Sequence, residues 1–158
     1  MHPEAHDGFV TAALRAGVDL NAHLSILDLG GQDVNGTVHA VFPNATFVTL
    51  DIEPGVGVDV VGDARTWTPT SLFDVVIATE VFEHVEGWEQ IVATAAKALD
   101  PSGWGTFVTT CASTNRPVHG ATGAPLPAEG EYYRNVPADA MLDALNEHFH
   151  DADVTYRY

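Results

Sequence analysis

The chain of 158 residues carries 22 Asp and Glu against 6 Lys and Arg, a formal charge of −16 from only 18% charged residues, with 46% hydrophobic residues. That balance excludes a disordered segment and suits one domain spanning residues 1–158, with enough apolar residues for a buried core. The cations Arg15, Arg65, Lys97, Arg116, Arg134 and Arg157 are scattered, which disfavours duplex DNA as a partner, and the lone Cys111 excludes an internal disulfide and a cysteine-rich zinc site.

No stretch reaches the roughly 18 apolar residues of a membrane span, and Met1 to Phe9 has no basic segment leading into an apolar one. A cytoplasmic protein without a membrane segment is expected. Along the chain, Phe9, Val10, Ala13, Leu14 and Val18 fall at helical spacing and predict a helix over Asp7 to Leu20, with Asp7 as N-cap and Gly17 near its end. Leu24 to Leu29 (LSILDL) reads as a buried strand that runs into the Gly30-Gly31 turn.

Gly36 to Phe42 predicts a short helix stopped by Pro43, and Ala45 to Ile52 a second strand that ends on an aspartate. Val58 to Val61 predicts a third strand, and Phe73 to Thr79 a fourth whose continuous apolar run suits a sheet covered on both faces. Trp88, Ile91, Val92, Ala95 and Leu99 form a helical stripe ended by Pro101, and Trp104 to Thr110 predicts a fifth strand. The residues from Cys111 to Asn135 lack periodicity and read as a long functional or mobile loop. Pro137 then opens a helix with Met141, Leu142, Leu145 and Phe149 on one face, and Asp153 to Tyr158 is expected to add a closing strand.

Strands alternating with helices predict an α/β fold, a doubly wound and mostly parallel sheet with ligands beyond the carboxyl ends of its strands. The turn from Asp28 to Gly36 places glycines where a ligand can approach the backbone, although a plain tight turn needs the same residues. It lacks the dinucleotide and P-loop spacings. Asp51, about twenty residues after the turn, suits hydrogen bonds to ribose hydroxyls. Asp63 and Ala64 offer a position for an adenine amino group, and Thr79 with Glu80 border the same crevice.

These residues resemble the class I S-adenosylmethionine-dependent methyltransferases. Asp28-Leu29-Gly30-Gly31 resembles the family's first motif, Asp51 its ribose-binding acid and Gly62-Asp63-Ala64 its adenine-side motif. Phe73-Asp74-Val75-Val76 with Glu80-Val81-Phe82-Glu83-His84-Val85 resembles its fourth-strand motif. The resemblance implies a Rossmann-like methyltransferase fold and S-adenosyl-L-methionine as cofactor. It would place Gly30 and Gly31 at the methionyl end, Asp51 on the ribose, Ile52 on the adenine face, Asp63 at the adenine amino group and Glu80 near the methionyl moiety. Two features depart from the pattern: Gln32 replaces the second motif glycine, and the C-terminal antiparallel strand pair is expected to be incomplete.

The implied function is methyl transfer to a small-molecule acceptor, with no catalytic residue assigned. Candidate bases are His84 and His119, each also readable as structural or solvated. Glu80, Glu83 and His84 form a plausible divalent-metal set, but a capped helix start is the plainer reading and no metal site is assigned. Tyr132 and Tyr133 would either floor an acceptor pocket or anchor the loop. The alternatives are a non-catalytic binding or scaffold protein on the same fold and a nicotinamide-dependent oxidoreductase, the latter disfavoured by the glycine spacing. DNA base methylation is weaker still, since no Asn/Asp-Pro-Pro-aromatic run follows the fourth strand. An unpaired closing strand exposing Val154, Tyr156 and Tyr158 leads to the expectation of a homodimer.

Overall fold

The computed structural model describes residues 3–155. Its five strands are β1 (Ser25–Leu29), β2 (Thr46–Asp51), β3 (Val60–Val61), β4 (Val75–Thr79) and β5 (Thr106–Thr110), paired in the order β3-β2-β1-β4-β5. Every pairing is parallel, with Leu27 opposite Val48 on one side and Val76 on the other. The α-helices are α1 (Pro3–Arg15), α2 (Glu89–Ala98) and α3 (Ala138–Asn146).

The central strands are apolar throughout because both their faces are covered. Ile26, Val75, Ile77 and Val108 point into one layer with Phe9 and Ala13 of α1 and with Phe42. Leu27, Leu29, Val76 and Ala78 point into the other, against Ile91, Val92 and Ala95 of α2 and Met141 and Leu145 of α3. Burying each large aliphatic side chain is worth about 1.5–3 kcal/mol, so these two layers dominate the stability of the sheet. By the same alternation Asp28 shares the α1 face with Ile26 and is buried there.

Several boundaries differ from expectation. The first helix begins at Pro3, so Asp7 lies within it and does not cap it; it ends before Leu20 because Gly17, with φ of +80°, closes it. Val18 donates to the Ala13 carbonyl and Gly17 to that of Leu14, the paired bonds of a glycine C-cap. The helix expected over Gly36 to Phe42 is only a 3-10 turn at His39–Val41, since so few residues between Gly36 and Pro43 cannot offset helix nucleation. Leu142 is 36% exposed and not on the buried face of α3.

The expected closing strand is irregular over Asp153 to Thr155, and Tyr156 to Tyr158 lie outside the described residues. Arg15 holds this segment against α1, donating to Thr155 Oγ1 at 2.9 Å and pairing with Asp153 at 3.0 Å. Bonds between side chains hold this irregular segment where a sheet ladder was expected. Among the described residues no helix is long and apolar enough to cross a membrane.

Candidate active site

The chain runs outward from β1 through β2 to β3 and then returns to place β4 on the other side of β1. The direction of winding reverses between β1 and β4, and the crossovers leave a crevice beyond the carboxyl ends there. A cleft of about 920 Å³ occupies that place. Asp28, Gly30, Gly31, Asp51, Ile52, Asp63, Ala64, Thr79 and Glu80 all line it.

Close packing forms the turn after β1. Gly30 has φ of +76° and lies so near Val81 that a Cβ would come within 2.5 Å of its Cγ2. At Gly31 a Cβ would stand 2.4 Å from the Asp28 carboxyl and 2.7 Å from Thr49 Cγ2. The turn is drawn over β2, with Gly30 N–H donating to the Leu50 carbonyl at 2.7 Å and Gln32 N–H to Asp51 Oδ2 at 3.1 Å. Gln32, where the family has a glycine, lays its side chain across Gly55.

Asp51 Oδ1 also accepts the Glu53 amide at 3.2 Å, which orients the carboxylate while leaving each oxygen a second lone pair. Beside it Ile52 is 64% exposed, an apolar surface on the cleft wall. Asp28 Oδ2 meets His39 Nε2 at 2.8 Å, whereas Oδ1 is buried without a donor. Burial raises the Asp28 pKa, an effect opposed by the His39 hydrogen bond and charge.

Asp63 is more constrained than the sequence suggests. The Arg65 guanidinium grips both its oxygens, with bonds of 2.7 to 3.1 Å, and reaches the Glu86 carbonyl at 3.0 Å. These bonds hold the Asp63 carboxyl below its ordinary value. The Asp-Ala-Arg spacing carried the signal for this pair, which the sequence reading missed.

On the β4 side Glu80 adopts φ of +58°, a conformation uncommon for a residue with a side chain, and its amide donates to Thr110 at 2.8 Å. The following 3-10 turn (Phe82–His84) is not the capped α-helix start that the sequence suggested. It buries Glu83 completely, with Oε1 accepting the Ala112 amide at 3.0 Å. Burial, reinforced by the Glu80 charge, pushes the Glu83 carboxyl up to about 8.

The loop from Cys111 to Asn135 forms the remaining wall, with His119 to Gly123, Glu131 and Tyr132 on the cleft. It is pinned internally. Glu131 accepts the amides of Ala121 and Ala128, and Asn135 Nδ2 donates to Arg116 O at 2.8 Å. It is also tied across the cleft, where Asn35 Nδ2 donates to Thr122 O at 3.0 Å. The two tyrosines divide the roles considered for them: Tyr132 faces the cleft, while Tyr133 packs edge-on against His84 and His119 with centroids 5.3 and 4.9 Å away. Desolvation lowers the His84 pKa, helped by His119 and opposed by Glu131.

A doubly wound parallel sheet with its cleft at the β1/β4 reversal defines the Rossmann-like methyltransferase fold class. The chain belongs to the methyltransferase domain family, whose model matches residues 7–151. Solved structures share the fold. A 1,6-didemethyltoxoflavin-N1-methyltransferase from Burkholderia thailandensis, with bound 1,6-didemethyltoxoflavin and S-adenosylhomocysteine, superposes with a TM-score of 0.61 at 13% identity, over 92% of this chain and 65% of its own. The S-adenosylmethionine-dependent methyltransferase from Mesorhizobium loti gives 0.60 at 21% identity, over 86% and 78%.

The N-methyltransferase NodS from Bradyrhizobium japonicum, in complex with S-adenosylhomocysteine, gives 0.58 at 17% identity, over 91% and 72%. The chain spans less than two thirds of the toxoflavin enzyme, and only 53% of another methyltransferase-like structure that it matches. No curated protein matches the sequence.

Proposed function

We propose that this chain is a single S-adenosylmethionine-binding methyltransferase domain that transfers a methyl group to a small-molecule acceptor. The observation that carries the reading is the pairing of Asp51 with Ile52 at the end of β2. An oriented carboxylate with spare lone pairs stands next to an apolar side chain exposed in the cleft, the combination that a ribose and its base require. The volume of about 920 Å³ falls within the usual range for small-ligand sites, about 300–1,000 Å³.

Asp51 would hold the ribose hydroxyls and Ile52 would pack on the adenine. Asp28, with its buried and donorless Oδ1, would serve with the Gly30 and Gly31 backbone at the methionyl end, and Thr79 and Glu80 would close that end from β4. Asp63 meets an adenine amino group only by sharing oxygens already held by Arg65, so the adenine-side contact is assigned to the Asp63-Ala64 segment as a whole. S-adenosylmethionine, when bound, supplies a sulfonium methyl already activated for displacement. The task left to the chain is to align the acceptor and exclude water, which the wall of His119 to Gly123 and Tyr132 suits.

A small acceptor is in keeping with the toxoflavin N1-methyltransferase of the same fold, whose structure holds 1,6-didemethyltoxoflavin together with S-adenosylhomocysteine. Calorimetry with S-adenosylhomocysteine and with NAD tests the reading. Binding of the first and not the second is expected, and binding of NAD alone would reject it.

A further inference from the structure

The Glu83 carboxyl lacks a counterpart. Its side chain is fully buried and Oε1 takes the Ala112 amide, but Oε2 meets no donor. Nδ1 of the neighbouring His84 is likewise buried without a hydrogen bond, the Glu131 carboxylate standing 3.6 Å from it. Buried polar atoms are nearly always satisfied, so two exceptions on consecutive residues leave electron-pair donors in want of a partner. The loop brings a third donor to the same place: one ligand atom each from Glu83, His84 and His119 lie within 4.8 Å of one another.

We propose that Glu83, His84 and His119 bind one divalent transition-metal cation of the zinc or cobalt type. Two imidazoles and a carboxylate form a donor set that such cations take with positions left open, whereas magnesium asks for a near-octahedral shell of oxygens. Bonds of about 2.1 Å set tetrahedral donor atoms about 3.4 Å apart, so the site closes by about an ångström, within reach of a side-chain rotation at His119 on its loop. His84 and His119 line the cleft while Glu83 stands behind them, so the open positions face the space for the acceptor.

The set differs from the one that the sequence suggested: Glu80 is not part of this cluster and His119, thirty-five residues beyond His84, completes it. Cation binding itself does not depend on the methyltransferase reading; only a role for the cation in positioning an acceptor oxygen would rest on it.

The test uses the full chain, freed of metal by a chelator and titrated with cobalt chloride while visible absorption is recorded, with zinc and magnesium followed by calorimetry. One equivalent of cobalt with ligand-field bands is expected, with at least a tenfold loss of affinity in His119→Gln and in Glu83→Gln. A variant carrying both His148→Gln and His150→Gln, an exposed pair able to chelate adventitiously, should bind as the parent does. His119→Gln sits at a half-buried loop position and its circular dichroism verifies folding; His84→Gln replaces it if that variant unfolds. Absence of the bands, affinity unchanged in the cluster variants, or binding lost only with His148 and His150 would overturn the proposal. S-adenosylhomocysteine titrated in parallel separates the two readings: retained nucleoside binding without cobalt binding rejects the cation site alone, and the reverse rejects the methyl-donor site alone.

Discussion

The backbone amide of Gln32 donates to Oδ2 of Asp51 at 3.1 Å, so the turn after β1 closes on the carboxylate that ends β2. One side chain thus shapes the turn and faces the cleft. Asp51→Asn should weaken S-adenosylhomocysteine binding by about 1.5–3 kcal/mol, the worth of hydrogen bonds to a charged acceptor, and should leave the protein folded because an amide oxygen can still accept one of the two backbone N–H groups. Titration calorimetry alongside thermal melting checks this, and an affinity equal to that of the parent would remove Asp51 from the site.

Gly31→Ala should destabilise the fold by about 1–3 kcal/mol through overpacking, because the new methyl meets the Asp28 carboxyl and Thr49 in a rigid, buried corner. The substitution Gly36→Ala meets no atom within 4 Å and is strained only by its φ of +89°. Urea denaturation of both variants should show the larger loss at Gly31. The reverse order would mean that the turn relaxes away from Asp28.

The loop from Cys111 to Asn135 is a wall with local anchors, and its cleft-facing part should close further around a ligand. Hydrogen exchange of residues 117–132 is expected to be faster than that of the β1 and β4 amides and to slow when S-adenosylhomocysteine is added. Asn35→Ala, which removes the bond to Thr122 O, should speed exchange near Thr122 without ligand. Core-like protection that ligand leaves unaltered would exclude a mobile wall.

Asp74 ties the start of β4 to β1, its Oδ2 accepting both the Ser25 amide at 2.8 Å and the Ser25 hydroxyl at 2.7 Å. These bonds favour the ionised form and lower its pKa. The folded value lies below the unfolded one, so the contribution is complete above the unfolded pKa of about 3.9 and is lost as pH falls through the folded value. Asp74→Asn should therefore lower the melting temperature near pH 6, and the gap from the parent should shrink toward pH 3. A gap independent of pH would show that the carboxylate charge plays no part.

Much of this was legible in the sequence because the signals were local. The apolar runs ending at Leu29 and Thr79 announced strands buried on both faces, and Gly30-Gly31 and Asp51 marked the ends where a parallel sheet collects its ligand site. Boundaries failed where neighbours decided them. A weak pattern at Gly36 to Phe42 became a 3-10 turn whose His39 serves Asp28, and the residues from Asp153 to Thr155 were taken by Arg15 instead of a strand.

The site divides in the same way. Period and spacing within a few residues determined which side chains stand at the strand ends, since a strand's direction and pleat follow from its own sequence. Only the tertiary structure decided what those side chains meet. Glu131 and Tyr132 reach the cleft from a loop without periodicity. His119 comes to rest beside Glu83 and His84 because the ends of β4 and β5 are adjacent in the sheet and Ala112 is bound by Glu83. Contacts between residues far apart in sequence depend on chain closure and packing, and no local pattern encodes them.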